Sequence, residues 1–436
     1  MKGGYWVKTT KMKVGSAEVN IQIDENNLLG LIQSVGIRSQ KSEECIIQEA
    51  LNNPIGSQRL NKLIKSEETV CIIISDITRA WQKPDCYLPY ILQALSESGV
   101  KDENITFICA TGSHRHQSKE EHQILLGKKL DNRFEVVDHD CKDEENLINL
   151  GTTSFGTPVI INKTAIQCDH IILTGAIVFH DLAGFGGGKK SILPGIAAYE
   201  SIMANHKLSL GNNFGEGTNS LVCCGNTENN PVHLDMLEAA AFVKPTFLFN
   251  VIIDEAGNIV NAVAGDYIKA HEAGQRLVAE ADSCYIKEKA DIVVVSAGGY
   301  PKDIDFYQAS KALINAKEAS KKDGFIILLA ECIEGYGGVE VQQMLEGFSD
   351  NYSREKALRE NFSIAKYTGY LIAEIAEEFN VILVSSLNSK LLRNANIQVT
   401  EDVNQALAMA IQQKGMDAKI YLMPNGANTL PRFVKI

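Results

Sequence analysis

With 436 residues, 45% of them hydrophobic, the chain is long enough to bury more than one core, since single cores stop growing at roughly 250–300 residues; two domains are expected. A formal charge of −12 and a pI near 5.3 surround it with a negative field that repels nucleic-acid backbones and anionic lipid surfaces, so neither nucleic acid nor membrane is an expected partner. No run of about 18 apolar residues appears, the start from Met1 to Trp6 lacks a signal-peptide core, and the ten cysteines form no C-x-x-C pair, which points to a soluble, cytoplasmic protein without a disulfide framework or zinc ribbon.

In chain order, residues 19–23 alternate apolar and polar side chains, the mark of an antiparallel edge hairpin. Apolar, β-branched runs follow at 70–75, 105–110, 134–137, 170–174, 246–253, 291–296, 325–329, 381–385 and 420–423. Amphipathic stretches separate them at 87–98, 118–126, 231–241, 267–290, 303–319, 354–379 and 403–414. Such alternation is the pattern of parallel strands joined by crossover helices, so the fold class is expected to be α/β, with mostly parallel sheets flanked by helices. The charge-rich stretch from 267 sets a boundary near 270: residues 1–270 form an N-terminal domain, completed by 415–436, and residues 271–414 form the second. The adjacent Cys223 and Cys224 read as small core or loop residues.

Ligands of open α/β sheets bind beyond the carboxyl ends of the strands, so the residues just after each strand carry the most information. Run 70–75 is followed by Asp76-Ile77-Thr78-Arg79, and run 105–110 by Thr111-Gly112-Ser113-His114-Arg115. Run 170–174 leads into the densest segment, with His180, then Gly184, Gly186, Gly187 and Gly188, then Lys189 and Lys190, then Pro194-Gly195. Four glycines within five positions suggest backbone that approaches something closely or offers N–H groups to an anion. Neither the Walker A loop nor the G-x-G-x-x-G fingerprint fits, because Lys189 stands where each requires a glycine. His206 falls at the end of a helical stretch beyond the loop. After run 291–296 a Gly298-Gly299 turn leads to Tyr307 and Lys311, four apart and so on one helix face.

These segments together resemble the nickel-dependent lactate racemase family. The residues that carry the likeness are 75–79, Gly112 to Arg115, His180 with Ala183-Gly184-Phe185-x-Gly187-Gly188-x-Lys190, Pro194-Gly195, His206, and Tyr307-Gln308-Ala309-Ser310-Lys311. The resemblance implies a two-domain enzyme with its active site in the cleft between domains. It also implies a nickel-pincer nucleotide, a pyridinium-3,5-bisthiocarboxylic acid mononucleotide, bound covalently to Lys190 and supplied by biosynthesis and nickel-insertion proteins. His206 then matches the nickel ligand, and Asp76, Thr78, Gly186, Gly187 and Gly188 match groups that hold the nucleotide. His114 and His180 match a pair of acid–base residues, and Arg79, Tyr307, Gln308 and Lys311 match groups that bind the substrate carboxylate.

The chemistry implied is inversion at C2 of a 2-hydroxy acid by hydride transfer to and from the cofactor. The hydroxyl proton leaves with the hydride, and because the two enantiomers present that hydroxyl in different directions, two imidazoles are needed. Lactate-specific members carry a tryptophan in the second domain. Here the only tryptophans are Trp6 and Trp81, and the corresponding region, 362–369, offers Lys366 and Tyr367, which suits a larger or more polar acid. Two further readings stand beside this one: a phosphate-ester or nucleotide hydrolase using the glycine-lysine loop, and a non-catalytic hydroxy-acid sensor.

Overall fold

Strand Val70–Ser75 forms the centre of a six-stranded sheet in the computed structural model, which describes residues 7–130, 133–387 and 390–434 and so leaves out Trp6. To one side lie Ile105–Ala110 and Val136–Asp138; to the other lie His170–Ala176, Phe247–Ile253 and Ile259–Gly265, every neighbouring pair parallel except the last. The first five residues of Val70–Ser75 are fully buried because both faces of a parallel sheet are covered by helices, hence the unbroken apolar run in the sequence. Helix Pro84–Glu97 covers one face. It opens on proline, where a missing N–H costs nothing, and lays Tyr87, Leu88, Ile91, Leu92 and Leu95 onto Ile72, Ile74 and Phe249 at a helical repeat. Each such aliphatic side chain contributes about 1.5–3 kcal/mol by leaving water.

The direction of winding reverses between Val70–Ser75 and His170–Ala176, since chain order proceeds outward from both. That reversal is the switch point at which α/β sheets open a crevice. It lies beside Asp76, the loop after Ala110, and the glycine segment.

A second six-stranded sheet is parallel throughout, in the order Ile397–Thr400, Asn380–Val384, Ser320–Leu329, Ala290–Ser296, Ile420–Met423 and Leu28–Leu31. An antiparallel hairpin, Val7–Val14 with Ala17–Asp24, packs Met12, Val14, Ile21 and Ile23 into this sheet's core with Ile292, Ile327 and Leu422. The hairpin read from residues 19–23 is therefore present.

The two compact units divide differently from the expected domains. One comprises Gly36–Ser209 and Ser220–Ala281; the other comprises the remaining described residues, including Leu210–Asn219 and the chain from Asp282 onward. Residues before Gly36 and after 414, expected in the first domain, belong to the second unit because their hydrogen bonds are made there. Leu28–Leu31 pairs with Ile420–Met423, and Leu430–Phe433 pairs with Ser283–Ile286. That last pairing also shortens the helix expected over 267–290 to Lys269–Asp282. The helix expected over 354–379 is two, Asn351–Glu360 and Ile364–Glu378, separated where the Ser363 side chain caps the second by accepting from the Lys366 N–H. No helix among the described residues is long and apolar enough to cross a membrane.

Candidate functional site

Asp76 follows the central strand directly and is completely buried. Its Oδ1 accepts from the Thr78 hydroxyl at 2.6 Å and from the Arg79 guanidinium at 3.0 Å, and its Oδ2 meets His114 Nδ1 at 2.5 Å. Burial pushes the Asp76 carboxyl up, but the His114 hydrogen bond, the Arg79 charge and the Thr78 hydroxyl outweigh it and hold the group below its usual range. The His114 loop is fixed in turn. Gly112 adopts φ +57° and donates to Gly195 O at 3.0 Å, and the His114 N–H donates to Thr111 O at 2.9 Å. The Gln117 N–H donates to Asp138 at 2.7 Å, while the Gln117 side chain accepts from the Ile77 N–H at 3.1 Å. Asp76, Thr78, Arg79 and His114 thus form one cluster at the switch point.

His180 ends a two-residue strand, Phe179–His180, paired antiparallel with Gly184–Phe185. Its Nε2 lies 2.5 Å from Lys190 Nζ. Its Nδ1 lies 3.0 Å from Asp181 Oδ1 and accepts from the N–H groups of Leu182 and Ala183 at 3.1 and 3.3 Å.

The glycines are explained chiefly by packing. A Cβ on Gly187 would come 2.6 Å from Asn250 Oδ1 and 2.9 Å from Ala176 O, and a Cβ on Gly188 would strike the His271 ring at 2.6 Å; φ is +74° and +56° at these positions. Two of the loop's N–H groups are already used, Gly186 on Val178 O at 2.8 Å and Gly188 on Asn250 Oδ1 at 2.9 Å. The close approach anticipated from sequence is to the protein's own sheet and to His271.

The two lysines have opposite surroundings. Lys189 is wholly buried, its Nζ 3.5 and 3.4 Å from the carbonyls of Ala183 and Phe185, and burial, aided by the Lys190 charge, drives it well below the usual lysine range. Behind it sit His233 and His271, both depressed first by burial and then by Lys189, His233 to about 3. His271 Nε2 donates to Gly186 O at 2.8 Å and steadies the loop. Lys190, half-buried, faces His180.

Helix Tyr199–Lys207 carries His206, which is only 4% exposed. Its Nδ1 bonds the Ile202 carbonyl at 2.8 Å, so that nitrogen bears the proton and the lone pair is on Nε2. Burial, then the nearby Lys190 charge, lowers His206 to about 3, leaving a neutral imidazole. The helix is pinned by the Asn205 amide, which donates to the buried Asp235 at 2.8 Å and to Val232 O at 3.1 Å.

Tyr307, Gln308 and Lys311 lie in the other unit, on helix Phe306–Ala316, capped by Asp305 through the Gln308 N–H at 2.6 Å. Lys311 Nζ donates to Gln308 Oε1 at 2.7 Å. Of the remaining residues singled out in the sequence, Trp81 is half exposed, Tyr367 is buried beside Phe362, and Lys366 Nζ donates to Asn361 O at 3.1 Å. Cys223 and Cys224 lie on a loop whose Asn226 carbonyl would lie 2.3 Å from a Cβ on Gly184. Sequence reading missed Asn250, His233 and His271 as supports of the loop. The one available signal was an asparagine inside the apolar run 246–253, since a buried polar group in a strand requires a partner.

Fold and site together define the class, an open-sheet α/β protein with the imidazoles of His180 and His206 near Lys190 beside its switch point. Comparison with known proteins agrees. Residues 14–217 match the lactate racemase N-terminal domain and residues 286–430 the lactate racemase C-terminal domain. A lactate racemase of Lactiplantibacillus plantarum is 33% identical over 425 residues, 94% of this chain and 97% of its own length. One from Thermoanaerobacterium thermosaccharolyticum is 33% identical over 428 residues, 96% of this chain and 98% of its own. The solved lactate racemase apoprotein from the latter organism superposes with a TM-score of 0.89 at 33% identity, covering 98% of this chain and all of that one. A Thermotoga maritima protein of TM-score 0.64 and 19% identity shares the fold. The chain belongs to the lactate racemase family, and is an isomerase of the racemase type.

Proposed function

We propose that the protein inverts C2 of a 2-hydroxy acid, using a nickel-pincer nucleotide tethered to Lys190. The observation that carries this reading is that one half-buried lysine, Lys190, stands against His180 while a second, neutral imidazole, His206, lies within reach of its charge. The residues fit such a group. Among the described residues no cluster of three or more His, Cys, Asp or Glu side chains suits a metal ion, so a metal at His206 would take its other ligands from the nucleotide, and the Nε2 lone pair of a neutral histidine is the donor nickel requires. Lys189 does not compete as the attachment point, because it is sealed in the interior.

When bound, the nucleotide would supply the acceptor and donor of the C2 hydride. The chain's own groups do the rest. His114 with Nδ1 on Asp76 retains Nε2 for the hydroxyl proton of one enantiomer, and His180 serves the other. Arg79, already paired with Asp76, together with Tyr307, Gln308 and Lys311, is assigned to the substrate carboxylate. Thr78 and the segment Gly186–Gly188 are assigned to the nucleotide, the glycines mainly by letting the loop lie flat on the sheet. The region 362–369, with Lys366 and Tyr367 and no tryptophan, favours an acid larger or more hydroxylated than lactate.

The test is protein co-expressed with the cofactor-building enzymes. Its intact mass should show a covalent adduct that maps to Lys190 and vanishes in Lys190→Ala, with about one nickel per chain by metal analysis. It should racemise or epimerise at least one acid in a panel from lactate to aldonic acids without added NAD. An adduct on another residue, or inversion by adduct-free protein, overturns the reading.

A further inference from the structure

Lys190, His180 and Asp181 stand in the order of a nucleophile, a base and the group that orients the base. The Nζ–Nε2 separation is 2.5 Å and the Nδ1–carboxylate separation is 3.0 Å. We propose that this triad makes Lys190 a nucleophile and that the protein thereby acylates itself, His180 acting as the base for attachment before it acts on substrate. The proposal rests on the reading that Lys190 is the attachment lysine, and adds how the bond is made.

His180 is the base in the tautomer whose Nδ1 proton points toward Asp181, because Nε2 then holds a lone pair and takes a proton from the lysine ammonium. In the other tautomer Nδ1 accepts from the Leu182 and Ala183 N–H groups, and Nε2–H occupies the lone pair of an amine that is already uncharged, so attack proceeds from the first. A base held against the amine in this way is the arrangement by which weak nucleophiles are activated. The Nζ of the neighbouring Lys189 faces carbonyls instead, at 3.5 and 3.4 Å. With the incoming thiocarboxyl group, the Nζ lone pair forms the C–N bond, the carbon's C–O bond breaks, and the nitrogen's surplus protons pass by way of His180 to the departing oxygen, giving a thioamide and water. No oxidant or reductant enters. Once Lys190 is acylated it no longer holds a basic amine against Nε2, and His180 is released for the hydroxyl proton.

The experiment uses full-length apoprotein and S-phenyl thioacetate, an acyl donor whose C–S bond breaks to release thiophenol. Peptide mass spectrometry that resolves Lys189 from Lys190 follows acetylation with time and pH. At neutral pH Lys190 should acetylate on the order of 10²-fold faster than exposed lysines, and its rate should level off far below the lysine pKa of about 10.4, where exposed lysines still climb. His180→Gln should bring Lys190 down to the exposed-lysine rate, and Asp181→Asn should lower it by about tenfold. Lys189 is the internal control and stays unlabelled wherever the loop is intact. If His180→Gln lets Lys189 be labelled, the loop has opened and the wild-type pH profile decides. A Lys190 rate equal to that of exposed lysines at every pH, or an unchanged rate in a His180→Gln protein whose Lys189 remains protected, overturns the proposal. An adduct found elsewhere in cofactor-loaded protein would instead overturn the Lys190 reading itself, so the two failures are distinct.

Discussion

Asp76→Asn removes one charge and little volume from the buried cluster that holds His114. Three side chains donate to the wild-type carboxylate, at 2.5, 2.6 and 3.0 Å. Bonds to a charged group are worth about 1.5–3 kcal/mol each. Two of these donors, however, His114 and Arg79, are 46% and 40% exposed and will recover water. The expected net loss of stability is therefore about 1–3 kcal/mol. The larger effect should be catalytic. An asparagine can offer His114 Nδ1 either an oxygen or an NH2, so the tautomer with Nε2 as base is no longer enforced, and kcat should fall by about 10²–10⁴. The assay is inversion by chiral chromatography at matched adduct content, with imidazole 15N chemical shifts of His114 reporting the tautomer. The sign of the pH effect is also fixed. A carboxyl held below 3.8 adds stability above that pH and loses it as pH falls through the native value, so the variant should lack that acid-limb contribution. A folded Asp76→Asn protein with kcat within about threefold of wild type and an unchanged His114 tautomer would refute the reasoning.

Three other outcomes are expected. His206→Ala should keep the Lys190 adduct by intact mass yet lose nickel by metal analysis, because the imidazole is the only protein ligand assigned. Gly188→Ala, at φ +56° with its new methyl 2.6 Å from the His271 ring, should destabilise its unit by about 2–4 kcal/mol in urea unfolding. Lys189→Met keeps the buried stem and removes the amine. Lys189 is held far below the usual 10.5, so the unfolded chain binds a proton the native state lacks, and wild-type stability should rise with pH toward 10.5. The variant should lose that slope, at most about 1.4 kcal/mol per pH unit, as measured by urea midpoints across neutral to alkaline pH.

Most strands were legible because parallel strands buried on both faces leave unbroken apolar runs; 70–75, 105–110 and 420–423 coincide with strands in the structure. What escaped was long-range pairing. Nothing local in Leu28–Leu31 says that its partner is Ile420–Met423, so the N-terminal residues were placed with their chain neighbours. The positions of the site loops were readable from polar residues at strand ends. The reason for the glycines was not, since it depends on Asn250 and His271, remote in sequence and brought beneath the loop by the fold. Likewise the resemblance implies a nucleotide contact at Asp76, and its bond to His114 becomes visible only once the two strand ends lie side by side.

The Asn27 side chain donates to Met416 O across 389 positions, and the strand that follows it is completed only by Ile420–Met423. A ribosome making this protein therefore releases the edge strand long before its hydrogen-bonding neighbour, with the other strands of both six-stranded sheets made in between. Throughout that interval Leu28–Leu31 has no native neighbour to join, which makes it a natural target for chaperones and a liability for mispairing. Removing Ile420–Met423 should consequently disturb Leu28–Leu31 as much as the residues beside the deletion.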